Sequence, residues 1–428
     1  MPNFSGALRL LGSTSLFLTF VIGGIFTAVT MPSPGLSLPR ASASSKSISP
    51  SQLIDQAWTI IDQEFLDLDQ AISPEQWTQL RRDLIDQSSG DISAAHQAIR
   101  SLLARLDQPS TRFLSPQEFK ESQANSDELT GIGIQLTMEK ATQKLIVLSP
   151  IEGSPASIAG LLPMDRIVSI DGTPTQEMTT IEAVALIRGQ AGTEVILGLM
   201  RQGKSITIPI VRGRIRIPVV SASINSADGG VSVGYIHLKQ FNRNAQAEMK
   251  ESIRDLEEKG VQGYILDLRG NPGGLLDAGV AIAEQWLNQG DIVVVRTRKG
   301  VEVRRASGLA LTDKPIVVLV DRGTAGAGEI LAGALQDNGR ALVVGQTTFG
   351  SGLMQTVRAL ADDSAIYVTT GEYLTPSGRA LRMKGIQPDV AAALTTDEEN
   401  NLKADDLGTS KDRVYKVAEL SLLERVNP

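Results

Sequence analysis

Between residues 264 and 345 the chain repeats one pattern: a short apolar run, a glycine-rich turn, then a helical stretch. Tyr264-Ile-Leu-Asp-Leu-Arg269 runs into Gly270-Asn-Pro-Gly-Gly274 and a helix expected over 275–287. Ile292-Val-Val-Val295 and Pro315-Ile-Val-Val-Leu-Val320 read as further strands. Thr324-Ala-Gly-Ala-Gly-Glu-Ile330 opens a helix ending near Asp337, and Ala341-Leu-Val-Val-Gly345 follows as a strand. Strand, turn and helix in alternation predict an α/β layer with parallel strands, because a parallel connection needs a crossover helix. In such layers ligands sit where strands end and helices begin. The turn 270–274 lacks the glycine spacing of a dinucleotide site.

Upstream, from 128 to 213, the pattern differs. Gly131-Ile-Gly-Ile134 leads into a strand, and Lys144-Leu-Ile-Val-Leu148 reads as another. Gly153-Ser-Pro-Ala156 caps a short helix, and Asp165 to Gly172 is a strand ending in a turn. A helix is expected over 180–188, then two strands turning at Gln202-Gly203. These pieces, with Ala159-Gly-Leu161, Ile187-Arg-Gly189 and Gly192-Thr-Glu-Val195, resemble a PDZ domain in their order; Met164 departs from it, since Gly commonly precedes the Asp. The physics suits peptide capture. Gly131 and Gly133, with Ile132 and Ile134, can turn backbone N–H groups toward a terminal carboxylate. An unpaired strand edge can accept a peptide as an added strand. Ala183 and Ile187 are expected to receive the peptide's last side chain.

Longer motifs cover almost all of the chain after its N-terminal segment. They are Leu106-Asp-Gln-Pro-Ser-Thr-Arg-Phe-Leu-Ser-Pro116, Asp267-Leu-Arg-Gly-Asn-Pro-Gly-Gly-Leu275, Asp321-Arg-Gly-Thr-Ala325, the run Glu329 to Arg340, Thr348-Phe-Gly350, Leu374-Thr-Pro-Ser-Gly-Arg379 and Gly385-Ile-Gln-Pro-Asp389. Together they resemble the carboxyl-terminal processing proteases of peptidase family S41. The resemblance implies an α/β multidomain fold: a crotonase-like domain of ββα units, an inserted PDZ domain and an N-terminal helical region. It also implies a Ser nucleophile, a Lys base, a Gln four residues beyond the Lys, and an oxyanion hole at the Asn-x-Gly-Gly turn.

Carried over position by position, two of those roles fail. Gly326 stands at the nucleophile position and Ser351 at the base position, 25 residues apart as in the family. Gln355, Asp337, Gly273 and Gly274 remain. A glycine has nothing with which to attack a carbonyl. A serine hydroxyl cannot replace an amine whose pKa burial lowers toward neutrality. Thr324 and Ser351 are the nearby hydroxyls, Lys384 and Glu329 the nearby ionisable groups, and Glu329 fits a helix start better than a base. The chain holds two His, His96 in a helical stretch and His237 in a strand, and no Cys. A Ser-His-Asp triad, a thiolate zinc site and a Cys nucleophile therefore have nothing to draw on.

Residues 1–43 read as a signal peptide or membrane anchor: Arg9, the apolar run 10–29 and the small residues Ala41-Ser42-Ala43. Glycines and hydroxyl residues within the run favour cleavage over a stable span. Residues 44–127 read as a linker and a helical region, 214–395 as the protease-like domain, and 396–428 as an acidic tail with a final helix. The net charge of −7 and scattered Lys and Arg argue against nucleic acid. No metal or cofactor is expected. The sequence thus supports an exported, periplasmic or lumenal, catalytically silent protein that binds peptide C-termini and acts beside active relatives. An endopeptidase with nonstandard catalytic residues and a structural envelope protein are the alternatives.

Overall fold

The computed structural model describes residues 48–426 apart from 67–72, 88–90, 125–128, 140–143, 152, 177, 216–217 and 404–405. The expected signal or anchor lies outside the described residues, among which no helix is long and apolar enough to cross a membrane.

A six-stranded sheet organises the second half of the chain. Its order is Val220–Ser226, Ser232–Leu238, Gly263–Asp267, Ile316–Val320, Ala341–Gly345 and Val390–Ala391. The first pair is antiparallel and the rest are parallel. Every residue of Gly263–Asp267 and Ile316–Val320 is buried, as expected of parallel strands covered on both faces. Side chains alternate between two cores. Ile236, Leu266 and Val318 face the helices Ala245–Glu258, Leu276–Ala283 and Ala327–Asp337. Tyr235, Ile265 and Val317 face the helix Arg413–Val426.

That last helix corrects the reading of 396–428 as a tail. Val414, Tyr415, Ala418 and Leu422 recur at i, i+1, i+4 and i+8, so they fall on one face, and all four are buried against the sheet. Burying one such Leu or Val contributes about 1.5–3 kcal/mol, so the helix is part of the domain core.

A second correction concerns 292–295. The strand Asp291–Thr297 does not join the parallel layer. It pairs antiparallel with Gly300–Arg305 and with Ala365–Leu374, in a sheet that also holds Arg112–Leu114 and Leu353–Ala359. A short apolar run carries no information about which sheet it joins. The N-terminal helices Pro50–Glu64, Pro74–Gln87 and Ile92–Ala104 pack on this second sheet through Phe113, Ile366 and Val368. His96 belongs to that contact, 2.6 Å from Asp362.

The PDZ module is a separate antiparallel sheet ordered Ile134–Glu139, Lys144–Pro150, Arg166–Ile170, Glu194–Arg201 and Lys204–Val211, with Thr173–Pro174 beside the third strand. It is entered and left through a short antiparallel pair, Leu129–Gly131 with Gly213–Ile215. Asp165 and Arg201 are joined by two close hydrogen bonds at its base.

Candidate active site

The chain leaves the buried strand Ile316–Val320, turns over 321–326 and enters the helix Ala327–Asp337. Gly326 caps that helix at φ 51° and ψ −116°, a conformation that costs any residue with a Cβ. Sharp strand-to-helix turns of this kind display a nucleophile in many hydrolases. Here the display is empty. A Cβ built on Gly326 would lie 3.7 Å from the Gly273 Cα and 3.9 Å from the Pro272 carbonyl oxygen, both ordinary contacts. Thr324 stands two residues before Gly326. Its hydroxyl is buried, lies 2.8 Å from the Leu268 carbonyl and accepts from the Asp321 N–H, so it holds the turn.

The turn 270–274 packs directly on this elbow. Asn271 accepts from Ala325 N–H through its carbonyl, and its side chain reaches the Leu238 carbonyl and accepts from Gly273 N–H. Both glycines are needed for the approach. A Cβ on Gly273, at φ 93°, would fall 2.7 Å from the Ala325 carbonyl, and one on Gly274, at φ 139°, 2.2 Å from the Phe241 carbonyl. The structure therefore brings Gly273, Gly274 and Gly326 together.

Ser351 joins them through Glu329. This carboxylate is fully buried one helical turn beyond Gly326. One oxygen accepts from the Thr348 hydroxyl (2.6 Å) and Gly350 N–H (2.7 Å). The other accepts from Ser351 N–H (2.9 Å) and Gly326 N–H (3.1 Å). The elbow and the loop 348–351 are thus bound to one atom, their nitrogens within about 6 Å of each other. Burial pushes the Glu329 carboxyl above its usual range, against the pull of these four donors. The sequence placed Glu329 at the helix start; that it also clamps 348–351 depends on contacts 19 to 22 residues away. The Ser351 side chain is half-buried. Lys384 is exposed, although its backbone nitrogen would sit 3.0 Å from a Cβ at Gly350.

The remaining sequence-predicted residues lie elsewhere. Gln355 is buried in the strand Leu353–Ala359, where its amide donates to the Ser110 carbonyl at 3.0 Å and so anchors the 106–116 motif. Asp337 ends the helix that Gly326 begins, eleven residues or roughly 16 Å away. It accepts from Ser377 N–H and hydroxyl and pairs with Arg379, fixing the 374–379 turn. Those bonds and that charge outweigh burial and hold Asp337 below the usual carboxylate range. His237 is half-buried beside Asp267, and burial lowers its pKa.

In the PDZ module the strand Ile134–Glu139 pairs, among the described residues, on one side only, with Lys144–Pro150, which leaves its other edge open there. Gly133, at φ 77°, lies against Ser154, whose hydroxyl donates to the Gly133 carbonyl. Ala183 and Ile187, expected to line the groove, are packed inside the module with Ile132 instead. Thr180 and Val184, on the same helix Thr180–Ile187, are half-buried.

Comparison with known proteins agrees with this geometry. Residues 232–392 match the model of peptidase family S41, and 146–201 match a PDZ domain. The chain is 42% identical over 342 residues to a carboxyl-terminal-processing protease of Synechocystis sp., covering 79% of this chain and 80% of the relative. It is 37% identical to carboxyl-terminal-processing peptidase 3, chloroplastic, of Arabidopsis thaliana, covering 78% and 67% of the two chains. Among solved structures, a photosystem II D1 C-terminal processing protease superposes with a TM-score of 0.58 at 33% identity, covering 87% of this chain and 98% of that one. With these relatives matched over more than two thirds of their length, the chain belongs to the carboxyl-terminal-processing protease family, peptidase family S41.

Proposed function

We propose that this protein holds the C-terminal tails of polypeptides without cutting them. Gly326 carries the proposal: the elbow retains its strained backbone and its oxyanion turn, yet presents a hydrogen where the reaction needs an oxygen. Ser351 supports it, since the facing loop offers no amine. The open edge of Ile134–Glu139 gives a tail a strand to pair with, and the turn at Gly133, just before that strand, offers amides for its carboxylate. Thr324 argues against a working protease with substitute residues, because its hydroxyl is engaged in holding the turn.

The same reading makes the protein an exported one, in a periplasm or internal lumen, on the strength of the apolar run 10–29 and Ala41-Ser42-Ala43. N-terminal sequencing of the mature protein tests that part. The main test pairs binding with cleavage. Purified protein should retain an unfolded polypeptide with a free, apolar C-terminus, release it when the terminus is amidated, and yield no fragments. Steady fragmentation by the unaltered protein sinks the proposal. Failure to retain any tail leaves a structural role.

A further inference from the structure

The residue before the oxyanion turn is held from an unexpected direction. Arg269 immediately precedes Gly270, and its guanidinium is clamped between two carboxylates. Asp267, two residues back, meets Nε at 2.9 Å and Nη2 at 2.5 Å. Asp412 meets Nη1 at 3.1 Å and Nη2 at 2.6 Å from the segment leading into the C-terminal helix. Both carboxylates are buried and the Arg269 side chain nearly so. Each acid is otherwise satisfied: Asp267 accepts from the Tyr235 hydroxyl at 2.7 Å, and Asp412 accepts from the N–H groups of Gly408, Val414 and Tyr415. The segment lies flat on Tyr235 because Gly408 has no side chain; a Cβ there would fall 2.5 Å from the ring. Tyr415 completes the attachment through Asn225 at 2.8 Å.

A buried ion triad adds little net stability, since desolvation offsets most of the attraction. What bidentate pairing supplies is fixed orientation. Here it fixes the residue at which the strand Gly263–Asp267 becomes the turn 270–274. Gly270 N–H donates to Asp321 and Gly273 N–H to Asn271, so the turn's amides keep their directions only while the backbone at 269 stays put. We infer that Arg269 and Asp412 are positioning residues, and that the C-terminal segment is the rear support that shapes the oxyanion turn. The inference concerns the geometry of the turn and holds whether or not the protein cuts peptides.

Hydrogen exchange on the intact chain tests it. Asp412→Asn keeps the shape and removes the second clamp. Amides in 268–275 should exchange at least about tenfold faster, while peptides from 365–374 stay at the wild-type rate. Tyr415→Phe removes the bond to Asn225 on the same segment and leaves the clamp, so the turn should keep its protection. Wild-type protection of the turn in Asp412→Asn, or equal acceleration in Tyr415→Phe, overturns the inference. Should Asp412→Asn not fold, Arg269→Lys decides: it retains the charge and loses the fork, and unchanged protection at 268–275 in that variant overturns the inference equally.

Discussion

If two missing side chains are all that silences the site, restoring them should restore chemistry. The perturbation is Gly326→Ser combined with Ser351→Lys. Sterically the first change is mild, because the nearest atoms to the new Cβ are at 3.7 and 3.9 Å. Its cost is conformational: a Cβ at φ 51° and ψ −116° is worth about 1–3 kcal/mol of strain, which should lower the melting temperature of either variant carrying it by several degrees. The second change places an amine on a loop already tied to the elbow through Glu329, in a half-buried position that lowers a lysine's pKa. Nucleophile and base act as a unit, and removing such a unit in a comparable hydrolase costs about six orders of magnitude. A repaired pair without further tuning should regain roughly three, or about 4 kcal/mol in barrier. The assay is initial-rate cleavage of an unfolded polypeptide with an apolar free C-terminus. Wild type and both single variants should stay at background. The double variant should cut at least about a thousandfold faster, with a rate rising with pH as the new amine loses its proton. A folded double variant no faster than its single parents would refute the claim that the elbow, the oxyanion turn and the loop 348–351 are still preorganised.

Glu329→Gln places an amide where two of the four donors now find an oxygen, so it should destabilise the domain by about 2–4 kcal/mol in urea unfolding, with exchange accelerated at 348–351. Asp337 has its carboxyl held below the usual range, so its contribution is fully present above the unfolded carboxylate pKa and is lost as pH falls through the lower folded value; Asp337→Asn should be weaker than wild type by about 1–3 kcal/mol at neutral pH, with the gap closing under acid in urea titrations. Met164 adopts φ 68° and is exposed, so Met164→Gly should stabilise the PDZ module by about 0.5–1 kcal/mol and leave tail binding unchanged by calorimetry.

Much of this architecture was legible in the residues. The parallel layer shows in the strand Ile316–Val320, whose unbroken apolar character needs burial on both faces. The turn at Gly326 shows as well, because the glycine-rich stretch 324–330 stands between an apolar strand and a helix. What escaped was everything decided by partners distant in sequence. The runs 292–295 and 316–320 are equally apolar, and only the fold sends the first to the antiparallel sheet. Ala183 and Ile187 lie on the apolar face of their helix, but that face is wide enough to fill the core and still wall a groove, and burial assigns them to the core.

Asp412 is the sharpest case, and it bears on how the turn 270–274 keeps its shape. In sequence it is one acid among several in a polar stretch, 143 residues from Arg269. In the fold it supports the oxyanion turn from behind, while Glu329 joins the elbow to the facing loop from within. At 326 and 351 Glu329 accepts from backbone N–H groups, which any residue at those positions supplies. Two buried carboxylates, at neither 326 nor 351, thus hold the backbone of the elbow, of the loop 348–351 and of the turn 270–274, so that backbone does not depend on which side chains stand at 326 and 351.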